Sequence, residues 1–228
     1  MVTLVIDTSL TALAGVVTPA GDSWQHTSSQ PRAHAELLTS LIEQALSDAG
    51  RTVAEVTEVV VGTGPALFTG LRVGIVSARV FALARQIPVR GVSSLAALAQ
   101  QFYENYDDDA PAPDVLVLTD ARRSEVYWAR YGWSESGLEL RQEPAVGPLA
   151  EAFESGTQGV VIGGEAPVLD RVTEKFPQLT VTAVELTTQA MVAAAQRAVV
   201  VHGENLSTDP LYLRRPDAVP SISRKRVS

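Results

Sequence analysis

The sequence predicts an α/β protein of two domains that share one opening pattern. Three observations carry this. Short apolar strands alternate with helical segments along the chain. An acidic, Pro-punctuated stretch, residues 104–113, interrupts them near the middle. On either side of it, an apolar strand ending in aspartate (Asp7, Asp120) meets a polar turn and a second strand, which suggests duplication around a cleft.

In order, residues 3–7 form a strand, residues 8–11 a turn and residues 13–17 the returning strand, closed by the turn-forming run 19–22. Residues 34–49 read as an amphipathic helix, with Leu37, Leu38, Leu41, Ile42, Ala45 and Leu46 on one face and Gly50 suited to its C-terminal cap. Thr52 and Glu55 have capping-box spacing, which places a short helical turn before the strand at Val59. A Gly/Thr-rich loop, residues 62–70, opens into a long helix from Leu71 to about Gln86. Residues 88–92 make a short strand, and Ser93 or Ser94 can cap a helix through Ala99 or beyond. After the linker come a strand over 114–120, a turn with Arg122, Arg123 and Ser124, and a returning strand over 126–131. Residues 159–165 are a strand running into a Gly turn, and residues 188–202 an Ala/Val-rich helix. The expected division is 1–104, 105–215 and a flexible basic tail, 216–228.

Composition narrows the functions open to the chain. Its 228 residues suffice for a substantial core. The absence of Cys excludes disulfides, thiolate metal sites and thiol nucleophiles, and fits a cytoplasmic setting. No apolar run approaches the ~18–20 residues of a membrane span, and the N-terminus reads as a first strand, without the basic start of a signal peptide. A net charge of −8 opposes unaided binding to nucleic acid, so any RNA would be held mainly by something else.

The loop before the central helix is the first candidate site. A strand, a Gly/Thr turn and a helix start can cradle phosphate. Gly64 to Gly70 nevertheless lacks the Lys-Ser/Thr of a Walker loop, and Gly62-Thr63-Gly64 lacks the third Gly of a dinucleotide fingerprint. The loop serves equally as a tight structural turn. Asp7 and Asp120 either stabilise their turns or face a ligand; Thr8 and Ser9 can bond phosphate or the turn alone. Gly163 and Gly164 suit a strand-to-helix turn in any case. His34 reads as a helix-start residue more than a base, and the basic runs Arg214-Arg215 and Arg224-Lys225-Arg226 as a solvated end or an RNA or partner contact. The central helix is apolar nearly all round, apart from a stripe of Arg72, Arg79 and Gln86. Such a helix is covered on more than one side, either within its own domain or by a partner.

Together these pieces resemble the TsaB (YeaZ) family, the non-catalytic partner in bacterial threonylcarbamoyladenosine tRNA modification, within the actin/sugar kinase/Hsp70-like superfamily. The resemblance runs through Ile6-Asp7-Thr8-Ser9, His34 to Leu38, Gly64-Pro65 with Phe68 to Gly74, Asp120 to Arg123 with Glu125 to Tyr127, and Pro210 to Arg214. The runs Phe68 to Gly74 and Asp120 to Tyr127 are its specific parts. Where the family usually has Gly-Ser, this chain has Ala66-Leu67, which removes a flexible position and a hydroxyl from the loop.

The resemblance implies two tandem actin-like (ribonuclease H-like) domains, each with a mixed sheet flanked by helices. It implies a scaffold that activates a TsaD-like catalytic subunit, joined by a TsaE-like ATPase, to modify adenosine 37 of ANN-decoding tRNAs. It implies nucleotide contacts at Asp7, Thr8, Ser9, Gly64, Thr69, Gly70, Asp120, Gly163 and Gly164. It also implies a partner interface at Leu37, Leu38, Leu41, Ile42, Arg72, Ile75, Val76 and Arg79. No cofactor is required by the chain alone, with ATP or ADP admitted at a partner interface. The catalytic paralogue holds a metal with two His four residues apart; the matching positions here are Ser94 and Leu98, and none of His26, His34 and His202 is four residues from another. No catalytic residue and no metal site are therefore expected. Two rivals stay open: a small ATP-dependent kinase or acyltransferase, and a simple homodimer.

Overall fold

The computed structural model describes residues 1–28, 34–106, 111–154, 160–203 and 206–214. The first unit is built from β1 (Val2–Asp7), β2 (Ala12–Val17), β3 (Ser23–Ser28), α1 (His34–Asp48), β4 (Val56–Gly62), α2 (Phe68–Arg85), β5 (Val89–Val92) and α3 (Ser94–Glu104). The second contains β6 (Val115–Asp120), β7 (Glu125–Ser134), β8 (Gly137–Pro148), β9 (Val160–Gly163), α4 (Ala166–Lys175), β10 (Thr180–Ala183) and α5 (Thr188–His202). The tail 216–228, Arg215 and the acidic run 107–110 lie outside the described residues.

The two sheets have the same topology. The first is ordered β3-β2-β1-β4-β5 and the second β10-β9-β6-β7-β8. In each, the first strand pairs antiparallel with the strand it reverses into and parallel with the fourth strand of the unit. Asp7 stands opposite Leu13 and Asp120 opposite Val126, so the repeated aspartates occupy equivalent places. The duplication seen in the letters is a duplication of the sheet.

The first strand is buried on both faces, and its side chains alternate between two cores. Leu4 and Ile6 pack with Leu38, Leu41, Leu71 and Ile75 of α1 and α2. Val5 faces a second core with Leu95 and Leu98 of α3, Met191 of α5, and Val115, Val117 and Ile162 of the second sheet. The helices α3 and α5 are thus shared between the sheets. Gly15 of β2 admits α5 closely: a Cβ there would lie 2.6 Å from Thr188 Cγ2. A third, smaller core lies under α4, around Leu118, Val161 and Val172.

Three strands stand outside the expectation from sequence. β3 and β10 are short edge strands of mostly polar, half-exposed residues, and β8 is an edge strand that contains Pro144 and ends at Pro148. Edge strands bury too little to show an apolar pattern. The helix α4 is likewise unexpected, although Val168, Leu169 and Val172 give it an apolar side. α2 begins at Phe68, three residues before the expected start, so Thr69 and Gly70 belong to its first turn and not to a loop.

Candidate functional site

Asp7 ends β1 with its carboxylate turned inward. It accepts hydrogen bonds from Ser9 N (2.8 Å), Ser9 Oγ (3.1 Å) and Ser94 Oγ (2.7 Å), the last from the first turn of α3. Ser94 Oγ also lies 2.9 Å from Ser9 Oγ. The carboxyl is only 1% exposed, and burial pushes it above the usual carboxylate range, against the opposing hydrogen bonds from Ser94 and Ser9. Gly62 closes the other side, where a Cβ would fall 1.7 Å from Asp7 Oδ2. This aspartate is enclosed by the chain's own groups.

The neighbouring candidates are also engaged internally. Thr8 Oγ1 donates to Gly70 O (2.8 Å) and accepts from Gly74 N (3.1 Å), tying the β1 turn to α2. Gly64, at φ +94°, offers its carbonyl to Ser94 N (2.8 Å) and Ser93 Oγ (3.2 Å), so the loop holds the start of α3. Ser93 stands at the N-cap position, but its hydroxyl serves the loop and makes no cap bond. Of the nucleotide candidates in the first unit, Thr69 alone is exposed.

In the second unit, Asp120 donates its N–H to Glu165 (2.7 Å), accepts from Arg122 N (3.0 Å) and pairs with the Arg122 guanidinium (3.3 Å). Burial pushes the Glu165 carboxyl up, and the Asp120 charge adds to that, while the Asp120 N–H opposes it. The next turn is unusual: Arg122, Arg123 and Ser124 all have positive φ, 63°, 53° and 63°. Gly163 lies under Leu118 O, and a Cβ on Gly164 would meet Leu10 Cδ1 at 3.0 Å and Leu98 Cδ2 at 3.7 Å. Leu10 and Leu98 therefore fill the space between the first domain's Asp7 turn and Gly164. Among the described residues, no group of three or more His, Asp or Glu is placed to hold a metal ion.

The helical layer divides differently from the expectation. Leu38 (2% exposed), Leu41 and Ile75 belong to the core between α1, α2 and the sheet, so the free chain offers none of them to a partner. Leu37 and Ile42 are half-buried. Val76 is 56% exposed, and with it on α2 stand Val80 (59%) and Leu83 (80%), which lie outside the expected interface set. Their i, i+4, i+7 spacing is visible in the sequence; which side of an apolar helix meets its own sheet is not. Leu67 and Phe68 extend the exposed apolar surface at the start of α2.

Arg72 and Arg79 do not form a free polar stripe. They hold residues 206–214, which run antiparallel along α2. Arg79 Nε donates to Thr208 Oγ1 (2.6 Å) and Arg79 Nη2 to Asp209 (3.0 Å). Arg72 Nε donates to Tyr212 OH (2.7 Å), and Tyr212 stacks on Phe68 with centroids 4.9 Å apart.

Two copies of one five-stranded α/β unit closed on shared helices define a protein of the duplicated actin-like class. Within that class, the family model described as TsaD, tRNA N6-adenosine threonylcarbamoyltransferase, matches residues 26–218. An uncharacterized protein of Mycobacterium tuberculosis is 40% identical over 189 residues, 83% of this chain and 79% of that protein. The tRNA threonylcarbamoyladenosine biosynthesis protein TsaB of Escherichia coli is 33% identical over 135 residues, 59% of this chain and 57% of its own. The solved structure of YeaZ from Pseudomonas aeruginosa superposes with a TM-score of 0.74 at 27% identity, covering 93% of this chain and 99% of that one. The chain belongs to this family, on its TsaB (YeaZ) side.

Proposed function

We propose that the chain works in tRNA threonylcarbamoyladenosine biosynthesis as a non-catalytic subunit that docks on, and activates, a TsaD-like catalytic subunit in the cytoplasm. The observation that carries the reading is the stripe Val76, Val80 and Leu83, exposed on a helix whose opposite side is core. A contiguous apolar face of this kind marks an interaction site. Covering each of these side chains contributes on the order of 1–2 kcal/mol before the cost of association.

The interdomain space supports the same reading from the other side. Ser94 and Leu98 stand where the paralogue is expected to hold its metal; Ser94 bonds Asp7 and Leu98 helps fill the cleft. The chain contributes shape and apolar surface, and the partner the reacting groups. A threonylcarbamoyl-adenylate made elsewhere supplies the transferred group. The tRNA is held mainly by the partner, in keeping with the net charge of −8. A TsaE-like ATPase joins the assembly, and ATP or ADP enters at a subunit interface without a site complete in this chain.

The test is reconstitution. With the TsaD-like subunit of the same organism, the remaining enzymes and tRNA, modification should require this chain and should fail with Leu83→Glu, while the variant stays folded. Robust Mg²⁺-dependent ATP turnover by the isolated chain would instead favour a kinase or acyltransferase. Unimpaired modification without the chain would defeat the reading.

A further inference from the structure

Residues 206–214 form a strap that joins three parts of the molecule. At one end it passes the edge of the first sheet so closely that a Cβ on Gly91 would lie 2.1 Å from Ser207 O. In the middle, Leu211 N donates to Thr63 O (2.8 Å), and Arg79 and Arg72 bind Thr208, Asp209 and Tyr212. At the other end Arg214 donates to Ala121 O (2.9 Å) and pairs with Glu125, on either side of the second domain's positive-φ turn.

Helical spacing puts Phe68, Arg72 and Arg79 along one edge of the exposed side of α2, beside Val76, Val80 and Leu83. Tyr212 stacks on Phe68, and the Arg72 guanidinium lies 3.9 Å from the Phe68 centroid. All three side chains are exposed, and among the described residues no carboxylate pairs with Arg72. Exposed aromatic rings holding an oriented guanidinium beside an apolar stripe have the composition of an interface anchor.

We propose that the docking face is composite: the strap supplies Tyr212 to it, and the catalytic subunit brings an apolar surface with a carboxylate that meets Arg72. This rests on the docking reading above and adds a condition to it. Because Arg214 fixes the strap to the second domain, the partner engages a chain whose two domains are joined, and the second domain contributes to docking without being touched.

Calorimetric titration with the purified catalytic subunit tests this. Leu83→Glu probes the docking reading itself and should abolish binding. Tyr212→Ala should weaken binding by about 10-fold or more, and Arg214→Ala, outside the face, by about 3-fold or more. Both should keep the melting temperature of the free chain within a few degrees, and Tyr212→Phe should bind nearly as the parent does. In the unaltered protein, hydrogen exchange at the Leu211 amide should slow when the partner binds, a readout that survives if a variant folds poorly. Parental affinity in Tyr212→Ala and Arg214→Ala with binding lost in Leu83→Glu would overturn the composite face and leave docking intact. So would unchanged exchange at Leu211. Parental affinity in Leu83→Glu would overturn both.

Discussion

The Ser94 hydroxyl donates to the buried Asp7 carboxylate across 2.7 Å, joining the end of the first strand to the start of α3. That bond spans 87 residues of sequence and takes up the carboxylate that the family resemblance offers to a nucleotide. A carboxylate satisfied in this way is part of the framework, and its consequences are measurable as stability.

Burial holds the Asp7 carboxyl above its ordinary value of 3.8, so the folded chain keeps a proton that the unfolded chain releases. Its contribution is full below the ordinary value and is lost as pH rises through the folded one. Asp7→Asn, neutral throughout, should therefore gain on the parent as urea unfolding is repeated from about pH 4 to about pH 7. If the parent gains on the variant instead, the bonds from Ser94 and Ser9 outweigh burial and the carboxylate is ionised when folded.

The purified chain should hold no stoichiometric zinc or iron and should not modify tRNA alone. Ser94 and Leu98 supply no imidazole, and Asp7 is already satisfied. Elemental analysis finding one tightly held transition metal per chain would defeat this.

The fold is legible in the sequence where burial is two-sided. β1, β4 and β6 are short runs rich in Val, Leu and Ile, whose length and β-branched content suit a strand buried on both faces, and Thr52 with Glu55 forms the capping box that their spacing announces. Edge strands such as β3 are not legible, because polar side chains there cost nothing. The site is legible in part. Asp7, Thr8, Ser9 and Gly64 are indeed brought close to one another's elements, but letters alone do not show that their polar groups serve one another. The turn at Arg122, Arg123 and Ser124 is where the sequence places it, but its left-handed backbone carries no signal, since the three residues include no Gly or Asn. On α2, the sequence shows that most positions are apolar and leaves open which of them meet the sheet.

That ambiguity gives a direct contrast between two leucines. Leu38→Glu puts a charge into the core, where Leu38 is 2% exposed, and should cost on the order of 3 kcal/mol or more. Leu83→Glu changes a side chain that is 80% exposed and should stay within about 0.5 kcal/mol of the parent. Urea denaturation of the two variants measures the difference. Equal losses would place Leu83 in a core of its own.

Ser124 has φ 63° and its carbonyl accepts from Arg171 (2.6 Å), a bond that any residue there retains. Glycine removes the Cβ cost of that backbone, so Ser124→Gly should stabilise by about 1 kcal/mol and raise the melting temperature by roughly 2–4 °C. A lower melting temperature would mean that the greater freedom of glycine in the unfolded chain outweighs the relief.

Two truncations separate the strap from the residues C-terminal to it. Truncation after Arg215 keeps every anchor of residues 206–214, and the removed stretch contains two Pro, three consecutive basic residues and few core-forming side chains. That shortened chain should melt within a few degrees of the parent. Truncation after Gly203 removes the half-buried Leu206, Leu211 and Leu213 as well. The exposed pair of Arg79 with Asp209 contributes little of the difference. Losing the three leucines should cost about 2–4 kcal/mol. At roughly 2–4 °C for each kcal/mol, the melting temperature should fall by several degrees to more than ten. If both truncations melt like the parent, the strap is bound too weakly to pass on the state of the second domain, and its anchors are incidental. If truncation after Arg215 already collapses the chain, residues 216–228 are built into a domain and the division of the chain at 215 is wrong.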